Sequence, residues 1–322
     1  MESLGNEFFN ILLQNSLLQD VKRDDYGNIT DCKMHSLVHA LAQSISRYEG
    51  FNVGCSTEDG HPHVRYLSMK SLRESMPSVV KEKYLRVLSF HGVDVAEVPS
   101  SINKLIHLRY LDISGTKIQA FADSLCMLFN LQTLILNGCD FLERIPSQLS
   151  KLKNLRHLHY YSFDATCLMP FNMGQLTCLQ TLQLFNVGYD GGQQIGEIGF
   201  LKELGGELEI RNLEKVNNHG RQGTVNDDSV LGGLEPHPNL KSLTVQNFMG
   251  DKLPTWIMTK MVSTIEEHLL GLDNLVKIKL KGCRKCEELP MIGHLPHLKY
   301  LDLSRLDNLK NISHSFYDRD FC

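Results

Sequence analysis

L-R-Y-L-D-I-S-G-T at residues 108–116 is followed, 23 residues later, by L-Q-T-L-I-L-N-G-C at residues 131–139. Both stretches fit the pattern L-x-x-L-x-L, which recurs along most of the chain. The copies begin at Val64, Leu85, Leu108, Leu131, Leu155, Leu179, Gly205, Leu240, Leu275 and Leu298. This period is the signature of leucine-rich repeats, in which each unit is a short strand plus a return segment. The sequence therefore predicts an α/β fold, a horseshoe-shaped leucine-rich-repeat solenoid, over residues 64–322.

The regular spacing of these repeats is lost over residues 205–275, where two units run for 35 residues each. In the first of these units, the polar and glycine-containing stretch 217–224 predicts a loop. In the second, apolar residues at helical spacing predict a helix between Thr255 and Gly271. We therefore expect about ten units, with two irregular ones near the middle.

The composition excludes several classes of protein. The 322 residues are 42% apolar and carry a formal net charge of -4, which gives no global signal for nucleic acid or anionic membranes. The chain has no run of about 18 apolar residues and no basic segment followed by an apolar stretch at its start. Its nine cysteines are odd in number and lack a disulfide-framework spacing. We expect a protein of the cytoplasm or nucleus without a membrane span.

The repeat pattern also predicts which side chains line the inner curve of the horseshoe. Strand alternation sends positions 1, 4 and 6 into the core and leaves positions 2, 3, 5, 7 and 8 facing solvent. The resulting candidate protein-binding face is basic and aromatic, with Arg86, Arg109, Tyr110, Arg156, His157, His159, Lys241, Lys277, Lys279, Lys299 and Tyr300. The same rule places Phe185 and Arg305 on this face.

Such a face suits a protein partner that carries carboxylates, because arginine and aromatic residues dominate the cores of interfaces. A solvated strand face that binds nothing explains the same residues, and both interpretations stay open at this level. Nucleic acid is disfavoured as a partner, because no basic arm or recognised module accompanies the basic positions.

Two groups of residues have the chemistry of metal ligands, but neither has the spacing of a metal site. Cys283 and Cys286 form a C-x-x-C, yet Cys283 takes the inward ninth position of its repeat, as Cys139 does. No second Cys or His pair lies at a ligand spacing from them. His157 and His159 share a strand face without a further strong ligand. We therefore predict no metal site, no catalytic residues and no enzyme activity.

The first fifty residues follow a different pattern. Apolar residues recur at helical spacing through residues 4–12 and again through residues 34–45. Between them, the turn-rich centre 24–28 predicts a hairpin over residues 21–33. A helix, a hairpin and a helix in so short a space predict a partial winged-helix unit over residues 1–50, followed by a linker at 51–63.

Residues 27–42, G-N-I-T-D-C-K-M-H-S-L-V-H-A-L-A, resemble the end of the nucleotide-binding region in plant intracellular NLR disease-resistance proteins of the coiled-coil class. In that family a Met-His-Asp triplet opens this helix, and here the triplet is Met34-His35-Ser36. Four further runs resemble the family's repeats: V-R-Y-L-S at 64–68, L-G-G-E-L at 204–208, L-P-T-W at 253–256 and C-E-E-L-P at 286–290.

This resemblance implies a cofactor for the intact family, which binds ADP or ATP, with His35 sensing the β-phosphate of ADP. The present sequence has Ser36 in the acidic third position of the triplet and contains no G-x-x-x-x-G-K-[ST] loop to cradle phosphates. We therefore expect no cofactor for this chain by itself. We also expect the chain to be the C-terminal portion of such a receptor, truncated relative to the intact family.

The resemblance further implies a recognition and autoinhibition arm that binds a pathogen effector or guarded host protein and triggers the defence response. We assign Arg86, Arg109 and Arg156 to contact with the nucleotide-binding region, and Lys241 through Arg305 to the outside partner. A generic leucine-rich-repeat adaptor and a non-functional truncated copy are the alternatives. A ubiquitin ligase with a repeat as its substrate reader would need an added domain with a reactive cysteine, which the first sixty residues do not supply.

Overall fold

The computed structural model of the chain describes residues 2–45, 50–53, 64–69, 83–162, 169–188, 193–214, 237–251, 253, 274–289, 292 and 295–310. These residues form a small N-terminal unit and a long stack of parallel strands. The predicted loop at 217–224 and the predicted helix at 255–271 lie outside the described residues. No helix among the described residues is long and apolar enough to cross a lipid bilayer.

The N-terminal unit consists of helix α1 (Glu2–Gln14), strands β1 (Leu18–Arg23) and β2 (Ile29–Met34), and helix α2 (Ser36–Ile45). The two strands pair in antiparallel fashion and are joined by the turn at residues 24–28. The predicted order of helix, hairpin and helix is therefore confirmed. The apolar sides of both helices are exposed within the described structure, through Leu4, Phe8, Ile11, Leu37, Leu41 and Ile45.

The remaining strands form two parallel sheets, one of seven strands in the order β3 to β9 and one of five strands in the order β10 to β14. Their bounds are β3 Gly50–Val53, β4 Tyr66–Met69, β5 Val87–Ser89, β6 Tyr110–Asp112, β7 Thr133–Ile135, β8 His157–His159, β9 Thr181–Leu182, β10 Leu184–Asn186, β11 Gly206–Arg211, β12 Leu240–Gln246, β13 Lys277–Lys281 and β14 Tyr300–Ser304. Each strand pairs with the strand of the next repeat, as a solenoid requires.

The core runs through the stack as one cluster of buried apolar side chains. Positions 1, 4 and 6 of each repeat supply it, as the pattern predicts; Leu131, Leu134 and Leu136 of one unit are each 0% exposed. Among the described units, the one beginning at Leu298 has partly buried leucines, and the one beginning at Gly205 has a partly exposed glycine at position 1. The alternation within the short strands β5 to β8 holds, because a strand with a core on one side can bury only that face.

The outer curve is made of short 3-10 helices, at Ser100–Lys104, Asp123–Met127, Leu149–Lys151, Met173–Gln175 and Ile195–Phe200. The first of them begins directly after Pro99, whose missing N–H and fixed φ suit the start of a helical turn. A second one, Leu149–Lys151, follows Pro146, and the 3-10 form keeps each return short enough for a repeat of 23 residues.

In most of the described repeats the chain leaves the strand through a residue in the left-handed region at position 8. Gly92, Gly115, Gly138 and Gly282 all have a φ between 67° and 71° there, which glycine adopts without strain. The inward ninth position then closes the turn: Thr116 Oγ1 donates to the Ile113 carbonyl at 2.8 Å, and Cys139 Sγ donates to the same carbonyl at 3.1 Å. This confirms the structural assignment of the ninth position.

Two predictions about the strands need correction. Residues 50–53, placed at the end of the N-terminal unit and the start of the linker at 51–63, form β3 and pair in parallel with β4. Phe185, predicted to face the inner curve, is 0% exposed. The cause is a one-residue slip after β9, since Leu184 pairs with Glu209 and Phe185 with Ile210. The slip places Phe185 opposite the buried Ile210, and all three residues of β10 are buried.

Candidate protein-binding face

The inner curve displays the predicted basic and aromatic residues, but in separate groups rather than as one continuous stripe. Arg86, Arg109 and Arg156 stand at position 2, where their backbones form part of the ladder between repeats and their side chains are partly buried. Lys299 and Tyr300 are exposed in the last described unit. Acidic side chains of neighbouring strands lie between these groups, and the predicted face did not include them.

In the first sheet, the inner curve carries a polar network centred on Asp112. Its Oδ1 accepts hydrogen bonds from the backbone N–H of Ser114 at 2.9 Å and from the Ser114 hydroxyl at 2.5 Å. The Ser89 hydroxyl donates to Oδ2 at 3.3 Å, and His91 Nδ1 lies 2.8 Å from the Ser114 hydroxyl. Tyr110 is next to this network, and burial raises the pKa of its hydroxyl. The network fixes the side chains and gives the early inner curve a mixed rather than basic character.

His157 and His159 come together on β8, with ring centroids 6.3 Å apart and nearly parallel rings. His157 Nδ1 lies 3.0 Å from the Thr181 hydroxyl on the next strand. Burial lowers the pKa of His159, and the neighbouring His157 lowers it further, so the ring is favoured in its neutral form. Within the described ranges, no group of three or more His, Cys, Asp or Glu side chains is placed to hold a metal ion.

A buried ion pair within β11 belongs to a cluster that reaches from the second sheet to the residues after β8 of the first. Arg211 Nε lies 2.7 Å from Glu209 Oε1, and the side chains are 8% and 15% exposed. The guanidinium also donates to the Ser162 carbonyl at 2.7 Å and stacks over the Tyr161 ring at 5.1 Å. Gln246 adds a hydrogen bond to the same Glu209 oxygen. This cluster could not be predicted from the sequence, because Glu209 and Arg211 stand at ordinary alternating positions of a strand.

A lysine ridge covers β13 on the inner curve. Lys277, Lys279 and Lys281 alternate with the buried Ile278 and Leu280. In the sheet register, Lys277 lies between Ser242 of β12 and Tyr300 of β14, and its Nζ is 5.8 Å from the centroid of the Tyr300 ring.

Acidic side chains flank the lysine ridge. Lys279 is in register with Asp302, and Glu207 and Glu209 lie on β11, two strands away. The later inner curve therefore carries acidic side chains on β11 and β14 on either side of the basic ones on β13.

A cleft of about 330 Å³ opens at the edge of the early repeats. Arg65, Tyr84, Arg86 and His107 line it, and the Tyr84 and His107 rings stack with centroids 6.1 Å apart. Arg86 thus belongs to this edge as much as to the inner curve. The cleft is open to solvent, and its guanidinium groups and stacked rings are suited to a carboxylate-bearing segment of another protein.

The inner curve also receives a contact from the N-terminal unit that the sequence did not predict. Lys241 Nζ on β12 lies 3.5 Å from Asn28 Oδ1, in the turn of the hairpin. Beside it, the Tyr26 hydroxyl is buried and makes no hydrogen bond of standard geometry within the described residues. Burial raises the pKa of this hydroxyl to about 12, with Ser242 opposing the rise and the Glu207 carboxylate adding to it. Lys241, which the sequence assigns to the outside partner, therefore also lies against an internal segment, and its contact with an outside partner stays a prediction.

His35 stands at the start of α2, where its ring performs a structural task. The backbone N–H of Leu37 donates to His35 Nδ1 at 3.2 Å, which satisfies a free donor of the first helical turn. The ring keeps only Nε2 for another partner.

Cys283 and Cys286 are both fully buried in the core. Burial raises the pKa of the Cys283 thiol to about 11 and raises that of Cys286 as well. Metal ligation and redox exchange both need an accessible thiolate, and these positions oppose its formation. The structure thus supports the core assignment of Cys283.

Comparison with known proteins agrees with the repeat and hairpin patterns. The family model described as a leucine-rich repeat region matches residues 63–321, and the model of the disease resistance protein winged-helix domain matches residues 1–42. Among solved structures, the chain is similar to a Leptospira interrogans leucine-rich-repeat protein, LIC12759. That match has a TM-score of 0.49 and 20% identity, and it covers 77% of this chain and 59% of that one.

The relatives with similar sequences are plant proteins. The disease resistance protein RGA2 of Solanum bulbocastanum is 32% identical over 94% of this chain and 33% of its own length. RPP13-like protein 1 of Arabidopsis thaliana, also named for disease resistance, is 31% identical over 99% of this chain and 35% of its own length. The chain spans about a third of the length of these relatives. With the two domain matches, these similarities show that the chain belongs to the plant disease-resistance protein family and joins a winged-helix domain to a leucine-rich repeat region.

Proposed function

We propose that this chain is the recognition and autoinhibition arm of a plant immune receptor that acts in the cytoplasm or nucleus. Its inner curve binds a pathogen effector or a guarded host protein, and in the intact receptor the same region holds the nucleotide-binding part inactive. The chain itself performs no chemistry, and the defence response is triggered when the inhibitory contact is released.

The observation that carries this proposal is the contact between the hairpin turn and the inner curve. The winged-helix domain lies before the repeats, and its turn at 24–28 reaches β12 through Asn28 and Lys241. Any protein that binds the same part of the inner curve competes with the turn. Competition between two mutually exclusive contacts is the physical requirement for a switch, because each contact favours one of two states.

Two further observations support protein binding rather than a bare solvated face. The cleft lined by Arg65, Tyr84, Arg86 and His107 offers guanidinium groups beside stacked rings. Arg109 and Arg156 continue the basic edge along the following strands. We propose that this edge contacts the nucleotide-binding region, and that His35 presents its Nε2 toward the β-phosphate of ADP held by that region.

In a complete receptor, loss of the turn contact should produce activity without a pathogen. The test joins residues 1–322 to the part of Solanum bulbocastanum RGA2 that precedes its matched region, and measures ion leakage from leaves that express it. We expect Lys241→Glu to raise leakage about tenfold, because a change of about 1.4 kcal/mol in the resting equilibrium multiplies the active population by ten.

Lys104→Glu is the control, because Lys104 is an exposed lysine at the end of the 3-10 helix Ser100–Lys104 on the outer curve, outside the proposed binding face. This variant should stay as silent as the unchanged fusion. Equal leakage from both variants, or silence of both at equal protein abundance, would contradict the autoinhibitory role. The latter result would favour a generic repeat adaptor.

A further inference from the structure

The hairpin turn of residues 24–28 is built as a rigid projection. Asp24 Oδ1 accepts hydrogen bonds from the backbone N–H groups of Tyr26 and Asn28 at 2.9 and 2.8 Å, and its Oδ2 accepts one from the Asn28 amide at 2.9 Å. Arg23 donates to the Gly27 carbonyl at 2.7 Å, and Gly27 has a φ of +82° that few other residues adopt without strain. The conformation that places Tyr26 at the tip is therefore fixed by hydrogen bonds within the hairpin itself.

The place that receives this tip is a dip in the inner curve. Glu207, Ser242, Lys277 and Tyr300 form one row across β11 to β14 by the sheet register. Ser242 is the shortest of the four and is 5% exposed, and the Tyr26 hydroxyl is buried near it. A small side chain between longer ones leaves room for one aromatic ring, which is how interfaces usually accept an anchor residue.

The charges around the dip match those of the turn. Burial acts to raise the pKa of Asp24, but hydrogen bonds from Asn28 and Tyr26 and the nearby charge of Lys241 bring it below its usual range. Asp25 is exposed on the same turn, and Lys277 lies next to Ser242 on the strand that follows. The turn thus brings carboxylates to a surface edged by ammonium groups, which favours association and sets the orientation.

Glu207 adds a selection rule for the tip. Glu207 stands in the same row as Ser242, one strand away, and its carboxylate raises the pKa of the Tyr26 hydroxyl, so a neutral tip is favoured over an ionised or phosphorylated one. An uncharged aromatic side chain that can donate a hydrogen bond is accepted. The dip therefore favours a turn with three properties: an aromatic ring at its tip, a neutral hydrogen-bond donor on that ring and carboxylates on either side.

We propose that the row formed by Glu207, Ser242 and Lys277, with Lys241 at its edge, is a binding site for an acidic turn that presents a tyrosine-like residue at its tip. The hairpin turn fills this site within the chain, and the outside partner is a protein that carries a turn of the same chemistry and displaces it. The proposal rests on the proposed function, since it takes the internal contact as the resting state that a partner replaces.

Displacement is physically feasible because the internal contact is small. It consists of one partly buried tyrosine with a buried hydroxyl, one long hydrogen bond and flanking charges, and it persists because the turn is covalently tethered near its site at high effective concentration. A partner with the same turn and additional contacts along the lysine ridge of β13 can exceed it. The partner expected for the basic face is therefore a protein with an acidic turn and a tyrosine-like residue at its tip.

The experiment uses a fluorescent peptide of residues 18–34 as the probe and the full 322-residue chain as the receptor, with binding followed by anisotropy. We expect the peptide to bind the Tyr26→Ala chain at least about tenfold more tightly than the unchanged chain, because the tethered competitor has lost its anchor. A peptide with Tyr26→Ala should lose at least about tenfold in affinity for that same Tyr26→Ala chain.

A second pair of variants locates the site. Adding Lys241→Glu to the Tyr26→Ala chain should weaken peptide binding, whereas adding Lys104→Glu, a charge reversal on the outer curve, should leave it unchanged. Equal peptide affinity for the unchanged and Tyr26→Ala chains, or insensitivity to Lys241→Glu, would overturn the proposal. Circular dichroism of each variant checks that it is folded. If the peptide does not bind the Tyr26→Ala chain while Lys241→Glu still activates the receptor fusion, this site assignment is wrong, whereas the proposed autoinhibitory function is still supported.

Discussion

Replacing Arg211 with methionine should lower the free energy of unfolding by about 3 to 5 kcal/mol, the usual cost of removing one partner of a buried ion pair. Arg211 and Glu209 are 8% and 15% exposed, and the guanidinium also binds the Ser162 carbonyl and the Tyr161 ring. Methionine keeps most of the volume but leaves the Glu209 carboxylate buried without its partner charge. The cluster joins the two sheets, so its loss should loosen the middle of the solenoid.

Urea unfolding followed by circular dichroism measures this effect, and the chain offers a matched control. Arg284 and Asp307 form an ion pair at 3.6 Å whose side chains are 64% and 62% exposed. Arg284→Met should change the free energy of unfolding by less than about 1 kcal/mol, as is usual for surface pairs. If Arg211→Met is as mild as the control, the buried pair does not hold the sheets together.

Replacing Leu134 with alanine should lower the free energy of unfolding by about 2 to 5 kcal/mol, the range for deleting a buried leucine side chain. Leu134 is 0% exposed and lies in register between Leu111 and Leu158 of the neighbouring strands. A void there interrupts the core under β7, an inner strand of the seven-stranded sheet. Because each repeat contacts only its neighbours, the stack cannot compensate from a distance.

Ile106→Ala is the control for Leu134, because Ile106 is 57% exposed at the edge of the adjacent repeat. It should change stability by no more than about 0.5 kcal/mol. The same urea titration compares the two variants. A loss for Leu134→Ala that is no larger than the loss for Ile106→Ala would mean that position 4 is not the core position of the repeat.

Most of the solenoid could be predicted from the sequence because its information is local and repeated. Positions 1, 4 and 6 point inward in every regular unit, since strand alternation leaves no other choice for leucines such as Leu134. The turn chemistry is equally local, with glycine at the left-handed position 8 and a small residue such as Thr116 after it. The helix, hairpin and helix of the N-terminal unit followed from the same kind of local pattern.

The features that could not be predicted depend on distant residues or on single-residue changes of register. Phe185 turned inward because β10 slips by one residue against β11, and no periodic signal marks such a slip. Strand β3 carries none of the leucines of the pattern, yet it pairs with β4. The contact between Asn28 and Lys241 joins segments that lie 213 residues apart, so neither segment contains a sign of the other.

The central claim is that the hairpin turn rests on the inner curve at Lys241, and zero-length carbodiimide crosslinking tests it most directly. This reagent joins a carboxylate to an amine only when the two are in near contact. The hairpin supplies internal positive controls, since Lys22 lies 3.0 Å from Asp31 and Lys33 lies 3.0 Å from Asp20.

Mass spectrometry of the crosslinked, monomeric full chain should identify Lys241 joined to Asp24 or Asp25, in addition to the two hairpin crosslinks. The Tyr26→Ala variant should keep the hairpin crosslinks and lose the one to Lys241. Formation of the hairpin crosslinks in the unchanged chain without any product at Lys241 would contradict the account.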